Sequence, residues 1–503
     1  MGYGALTRRK FLERSGKAAA AAAIAAQPAW LAACGSSSTK SSAATQADWN
    51  KLAKSLGGRL LTPGEPGYST SALPYNKVYT SVRPRGIAMC ADAADARTAL
   101  LWAEESGEQF TVMSGAHSYA GYSTCTGLII NMSSLNKVSF DHSSDQVTIG
   151  VGVRNHQLFS TLPPLHVGLP HGRCPHTGVG GFVLGGGFGF TSRTMGTLSD
   201  TLVRTEIITA SGDILTCDSQ NNSDLYWACR GGAGGSFGIN TSYVMQTHPL
   251  PDKVCVYQMS WPWRDAPTIL KALQDMMLKA PNELSCRIGL GADGLAHKTF
   301  VANTLGEYVG PIDQLRELLA PVIAAAKPSK LTIEEVSIAN GVKFLAADVP
   351  FDRFDSKSSY AADAFSDAAI AKLIGELEKI PGSSNPGGTG IAIFCLGGQV
   401  NRVPADATAY FHRNARFLIN FEITWEAADP PGVVSAQQAW LQSIYDSMQP
   451  HVLPQSYQNW PDRALADWQR AYYGSNLERL TRVKAKHDPK DRFRYPQSVP
   501  LSV

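Results

Sequence analysis

Residues 171–189 read HGRCPHTGVGGFVLGGGFG, with glycine at 172, 178, 180, 181, 185, 186, 187 and 189 and Cys174 just ahead of the densest part. Glycine at that density forgoes side-chain packing and costs backbone entropy, so an ordered segment must recover the loss elsewhere. Close approach of the backbone to a ligand is the usual recovery, with successive N–H groups free to bind anionic oxygens. A flexible linker is the alternative, but Val179, Phe182, Val183, Leu184, Phe188 and Phe190 are interleaved, and linkers are rarely so apolar. The stretch reads as backbone wrapped on a cofactor.

A chain of 503 residues exceeds one ordinary core, which implies two or three domains. Residues 1–33 are set aside as a leader. Thr7-Arg8-Arg9-Lys10-Phe11-Leu12 resembles a twin-arginine export signal, followed by the mildly apolar run Ala18–Ala26. Leu31-Ala32-Ala33-Cys34 then reads as a lipobox, in which Cys34 takes a lipid and becomes the new N-terminus. The alanine-rich run is short and broken by Pro28, so the membrane is reached only through the lipid on Cys34. Residues 34–47 form a flexible tether. In the leader Arg8, Arg9, Lys10, Arg14 and Lys17 against Glu13 give +4, which taken from the chain's +3 leaves −1. That balance removes the case for a nucleic-acid partner. The nine cysteines include no CxxC pair, so no metal site is expected, and most read as buried small hydrophobes.

The folded part is expected to begin at 48, with helices at 48–56 and 92–106 and strands at 86–90 and 110–113. The last of these strands opens into Ser114-Gly115-Ala116-His117-Ser118, which puts backbone N–H groups and a hydroxyl at a strand end, suited to phosphate oxygens. Short strands at 128–131, 137–141 and 146–151 follow, then a hairpin of 202–210 with 214–218. The glycine-dense segment Gly231–Ile239 implies a third backbone approach to the same ligand. None of these is GxGxxG between a strand and a helix, so a Rossmann nucleotide site is not indicated. Beyond a boundary near 252 glycine thins out and strands alternate with helices. Strands are expected at 254–261, 284–290, 298–305, 391–396 and 416–425, and helices at 267–279, 312–326, 367–380 and 433–448. The stretch 381–390 is expected as a surface loop.

At this point the residues resemble a known family, the berberine-bridge-enzyme-like oxidases of the vanillyl-alcohol-oxidase (PCMH-type) flavoprotein fold. The segments that carry the resemblance are Ser114–Gly121 (SGAHSYAG), Gly172–Gly189, Ser223–Thr241 (SDLYWACRGGAGGSFGINT) and Tyr472–Pro500. The resemblance implies an α+β architecture. A flavin-binding domain of residues 48–252 would be completed by the tail 466–503, and residues 253–465 would form a substrate domain whose antiparallel sheet is covered by helices. It also implies FAD held by two covalent bonds, from His117 to the 8α-methyl and from Cys174 to C6. The pyrophosphate would lie along Ser114, Gly115, Ala116, His117 and Ser118. Gly178, Val179, Gly180 and Gly181 would lie near the ring, with Gly185 and Gly186 in the same cradle and Ile239 holding the flavin. An imidazole nitrogen and a thiolate are nucleophiles able to form such links.

The chain departs from the family at instructive places. Ala116 stands where a glycine is common, Phe182 where members read histidine, and Thr177 at the position that gates oxygen. The motif Tyr-x-Asn-Tyr-x-Asp appears as Tyr457-Gln458-Asn459-Trp460-Pro461-Asp462. The second tyrosine is a catalytic base in several members, and an indole N–H has no acceptor lone pair, so Trp460 cannot replace it. Another base is required, and the candidates are Tyr119, Asn420, which matches a substrate-facing position, and Glu422 on the same strand face. Strand 391–396 (IAIFCL) is apolar on both faces apart from Cys395, which suggests a less polar alcohol. The expected protein is an exported, lipid-anchored FAD oxidoreductase that passes hydride from an alcohol-type small-molecule substrate to flavin N5, with O2 or another acceptor reoxidising it. A lipid-tethered flavin-binding module with decayed catalysis is the alternative, motivated by Trp460 and Phe182. A third possibility is delivery of electrons to a membrane acceptor.

Overall fold

A computed structural model describes residues 44–293, 299–347 and 351–502. The expected leader, the lipid-bearing Cys34 and most of the tether lie outside the described residues. The first helix among the described residues is Gln46–Ser55, and it starts earlier than expected because Thr45 caps it. Asp48 returns the favour through a 2.8 Å bond from the Thr45 N–H, a reciprocal cap that satisfies two orphan donors. Ala44 is already buried, so ordered packing begins inside the stretch expected to be tether.

Three large sheets organise the described chain, beside a two-stranded pair of Val167–Gly168 with His248–Pro249. A four-stranded sheet has the order Arg59–Leu61, Gly86–Met89, Leu128–Asn131, Phe110–Met113, with its last three strands parallel. A five-stranded antiparallel sheet has the order Val138–Asp141, Gln146–Gly150, Ile239–Gln246, Leu202–Ile208, Ile214–Cys217. One apolar core joins them and includes Leu128, Ile130, Ile149, Ile207 and Tyr243. The tail enters the same core through Tyr472, Tyr473, Leu480, Val483 and Phe493. Its helix Leu477–His487 carries the buried Lys484, whose ammonium donates to Asp488 Oδ2 at 2.6 Å, Phe493 O at 2.8 Å and Ser236 O at 2.9 Å. The last of these bonds ties the tail to the third glycine-rich segment.

The third sheet has seven antiparallel strands in the order Lys330–Ser337, Lys253–Trp261, Thr299–Tyr308, Arg287–Asp293, Thr389–Cys395, Phe417–Trp425, Arg353–Ala361. Alternation along a strand sends successive side chains to opposite faces. On one face Ile288, Leu290, Ile391, Ile393, Ile419 and Phe421 pack against the helices Ala266–Lys279, Asp367–Leu377 and Pro431–Met448 through Leu270, Leu273, Leu373 and Leu441. The opposite parity, Arg287 and Gly289 with Ala392, Phe394, Asn420 and Glu422, lines a cavity. The architecture is α+β, with an antiparallel sheet covered by helices on one face. Strand Thr389–Cys395 starts inside the expected loop, and strand Arg287–Asp293 lies three residues later than expected.

Candidate active site

The cavity has a volume of about 840 Å³ and is bounded by the two smaller sheets, the tail and the exposed face of the seven-stranded sheet. All three small-residue segments reach it, through Ser114–Ser118, Gly178–Gly181 and Gly234–Ile239.

His117 is positioned by the loop that leaves strand Phe110–Met113. Ser114 Oγ donates to Val151 O at 2.6 Å, and the Ser118 hydroxyl accepts the Tyr122 N–H at 3.0 Å. Ala116 has φ of 59°, in the left-handed region where a Cβ is unfavourable, which accounts for the glycine common at this position in the family. The Ala116 carbonyl accepts the Tyr75 N–H at 2.9 Å, and the Tyr75 ring stacks on the His117 imidazole with centroids 3.7 Å apart and planes 14° apart. His117 Nε2 is buried without a hydrogen-bond partner among the described residues. Burial pushes the imidazole pKa down to about 3, so the ring is neutral at physiological pH and one nitrogen keeps a lone pair.

The glycine run contains a helix, Val179–Leu184, which the sequence did not signal. Several of its glycines are required by chain packing. A Cβ on Gly115 would stand 2.3 Å from Gly178 N, so these two backbones cross in contact. A Cβ on Gly185 would stand 2.1 Å from Asn459 Oδ1, and one on Gly186 would stand 2.5 Å from the Tyr410 ring. Gly185, Gly186 and the fully buried Val179 do not line the cavity. Gly178, Gly180 and Gly181 do, and Gly181 has open space where a side chain would be. Tyr243 OH donates to Gly180 O at 2.8 Å and fixes that turn. Cys174 lines the cavity with its thiol free, and the Asn155 amide holds its carbonyl at 3.0 Å. Burial pushes the thiol up to about 11, opposed by the adjacent Arg173 charge.

The sheet face brings Asn420 and Glu422 together. Asn420 accepts from Ser356 Oγ at 2.6 Å and donates through Nδ2 to Glu422 Oε2 at 3.2 Å. Burial raises the Glu422 pKa, against the stabilising Asn420 bond and the Arg287 charge. Tyr119 lies among Phe354 at 4.7 Å, His117 at 5.9 Å and the stacked Trp460 at 6.2 Å. Burial holds its phenol well above the usual range, so it stays protonated at neutral pH. Asn420 has no basic atom, whereas Glu422 brings a carboxylate to the cavity. Charged cavity residues that the sequence reading did not single out include Arg173, Arg287 and Asp352, and Tyr457, read there only as part of a motif, also lines the cavity. The Tyr457 hydroxyl accepts the Gly187 N–H at 3.1 Å and the Asn459 amide at 3.0 Å. The position of Arg173 beside Cys174 was the one available signal.

The residues fit FAD on the structure's own terms. A neutral imidazole with an unpartnered buried nitrogen and a free thiol share one cavity with three stretches of close-approaching backbone. The cavity size lies near the upper end of ordinary cofactor pockets.

Comparison with known proteins agrees with that fit. The family description "FAD binding domain" matches residues 84–218, and "Berberine and berberine like" matches residues 456–500. The "Uncharacterized FAD-linked oxidoreductase YvdP" of Bacillus subtilis is 31% identical over 456 residues, covering 89% of this chain and 99% of its own length. The xylooligosaccharide oxidase of Thermothelomyces thermophilus is 29% identical, covering 86% of this chain and 90% of its own. The solved structure of wild-type BBE-like 1 from Physcomitrella patens superposes with a TM-score of 0.81 at 28% identity, over 91% of this chain and 99% of that one. With homology along nearly the whole folded chain and a cavity built for flavin, the protein belongs to the FAD-linked, berberine-bridge-enzyme-like oxidoreductases of the vanillyl-alcohol-oxidase fold.

Proposed function

We propose that this chain is an exported, lipid-anchored oxidoreductase, bicovalently flavinylated through His117 and Cys174, that oxidises an alcohol carbon and passes the electrons to O2 or another acceptor. Residues 48–252 and 466–503 would hold the flavin, and residues 253–465 would present the substrate face. The observation that carries this reading is the convergence of His117, Cys174 and Glu422 on one cavity. FAD, when bound, supplies a two-electron acceptor for hydride. His117 offers a neutral nitrogen for one link. Cys174 offers sulfur for the other, and its high pKa means that the reactive thiolate is a small fraction at neutral pH.

Glu422 is the proton acceptor. Its raised pKa makes it a stronger base than an exposed carboxylate, and the Asn420 amide fixes one oxygen so that the other can face a substrate hydroxyl. Trp460 fills the place of the family's second tyrosine and packs edge-on against Tyr457 at 5.2 Å. The expectation of an apolar substrate face needs correction. Strand Thr389–Cys395 turns the parity of Gly390, Ala392 and Phe394 to the cavity, but the rest of the sheet adds Asn303, Asn420, Glu422 and Arg287. Such a face suits a polyol or sugar, in line with relatives whose names are xylooligosaccharide oxidase and glucooligosaccharide oxidase.

Anaerobic addition of alcohols and sugars to the purified protein tests the reading: at least one should bleach the flavin. A flavin that nothing bleaches would instead favour a binding module with decayed catalysis, the reading motivated by Trp460. Export and lipidation are tested by mass spectrometry of the mature N-terminus, expected to be acylated Cys34.

A further inference from the structure

The cavity holds two guanidinium groups that the chemistry so far does not use. Arg287 projects from the substrate face of the seven-stranded sheet, and Arg173 directly precedes Cys174. The Nε of each is buried without a hydrogen-bond partner among the described residues. Arg287 Nη1 makes one long bond to Asn303 Oδ1 at 3.4 Å, and its guanidinium lies 6.0 Å from the Phe394 ring. Burial lowers the pKa of both, for Arg287 to about 10, where the Arg173 charge adds to the effect. Two carboxyls share this region, Asp352, which lies 4.0 Å from Lys77, and Glu422, which takes the Asn420 bond; among the described residues neither forms an ion pair within 4 Å of Arg173 or Arg287. Unpaired cations in a part-buried cavity are unfavourable unless an anion completes them. A planar guanidinium fork matches a carboxylate in two parallel bonds.

We propose that Arg173 and Arg287 form a carboxylate-binding subsite, so that the substrate is a hydroxy compound with a carboxylate near the carbon oxidised, a sugar acid rather than a neutral sugar. This rests on the oxidoreductase reading of the same cavity. Both cations line the same cavity as Cys174 and Glu422, Arg173 as the chain neighbour of Cys174 and Arg287 on the sheet face that carries Glu422. A carboxylate held there sets the adjoining hydroxyl against Glu422.

The test uses the flavin-loaded protein and two ligands without an oxidisable hydroxyl, tetrahydropyran-2-carboxylate and its carboxamide, titrated anaerobically by the flavin difference spectrum. The carboxylate should bind at least about 10-fold more tightly, the scale of charge-assisted hydrogen bonds. In R173Q and R287Q that preference should fall to within about threefold of unity, and Arg287→Lys should retain an intermediate preference because it keeps charge without the fork. Equal affinity in the wild type overturns the proposal. So does an R287Q variant that shifts the flavin spectrum while keeping the preference, which would assign the cations to the cofactor. Turnover separates the two readings. D-galacturonate should bleach the flavin with a kcat/KM at least about 10-fold above that of D-galactose. Equal rates overturn the subsite and leave the oxidoreductase standing, whereas a carboxylate preference in a protein that nothing reduces leaves the subsite and removes the oxidoreductase.

Discussion

Replacing Glu422 by glutamine removes one function and little else. The amide is nearly isosteric, its oxygen can still accept the Asn420 bond now 3.2 Å long, and strand Phe417–Trp425 keeps its register. What is lost is the capacity to take a proton. A positioned general base contributes roughly 10²–10⁴ in rate, or about 3–5 kcal/mol of barrier. Trp460 has no acceptor lone pair and the Tyr119 phenol is held protonated by burial, so neither can stand in and the loss should fall within that range. The pH dependence has a definite sign. The base works deprotonated and burial raises its pKa, so flavin reduction in the wild type should be lost as pH falls through a value above the ordinary carboxylate range. That acid limb should be missing in Glu422→Gln. Stability moves the other way: a buried carboxylate with a raised pKa is destabilising once ionised, so the variant should melt no lower than the wild type at pH 8. Anaerobic stopped-flow reduction by a bleaching substrate between pH 5 and 9 measures all of this. A variant reduced within threefold of the wild-type rate, with the acid limb intact, would refute Glu422 as base.

Lys484→Met leaves Asp488 buried and uncompensated and should cost about 3–5 kcal/mol, read by denaturant unfolding; an unchanged midpoint would show that the tail is not held by this cluster. Glu307 is buried with its carboxyl pushed up to about 7, so its contribution is greatest at acid pH and declines as pH rises through that value. Glu307→Gln should therefore gain up to about 3 kcal/mol over the wild type at pH 8 and nothing near pH 4, in thermal melts at both. Ala116→Val places a β-branched side chain at φ of 59° and should destabilise by about 2 kcal/mol or more, whereas Ala116→Gly should stay within about 1 kcal/mol.

The flavin cradle was legible because its requirements are written in small residues. Ser114–Ser118 and the run from Gly172 to Gly181 announce backbone approach, and both line the cavity. Density alone could not say which glycines meet a ligand and which meet the chain. Gly185 and Gly186 serve Asn459 and Tyr410, residues more than 220 positions away. Strand Arg353–Ala361 gave no hydrophobic alternation because its buried run 356–359 is polar and satisfied by the paired strand and by the 456–462 loop. Ser356 bonds Asn420 at 2.6 Å, Lys357 bonds Asp462 at 2.6 Å and Ser358 bonds Ser456 at 2.8 Å. The polarity of the substrate face was hidden for a related reason. Strand 391–396 is apolar apart from Cys395, and Arg287 and Glu422 on the adjoining strands, with Asn303 one strand further, join its face only through strand order. The pairing of Asn420 with Glu422, in contrast, follows from a spacing of two along one strand and was readable directly.

The most direct test of the central claim is the fate of the flavin on acid precipitation of the purified protein. Cavity geometry that presents His117 and Cys174 to one cofactor leads us to expect a yellow pellet from the wild type. His117→Ala and Cys174→Ala should each still retain flavin, and only the double variant should release it to the supernatant. Flavin freed quantitatively from the wild type, or retained by the double variant, would contradict the account.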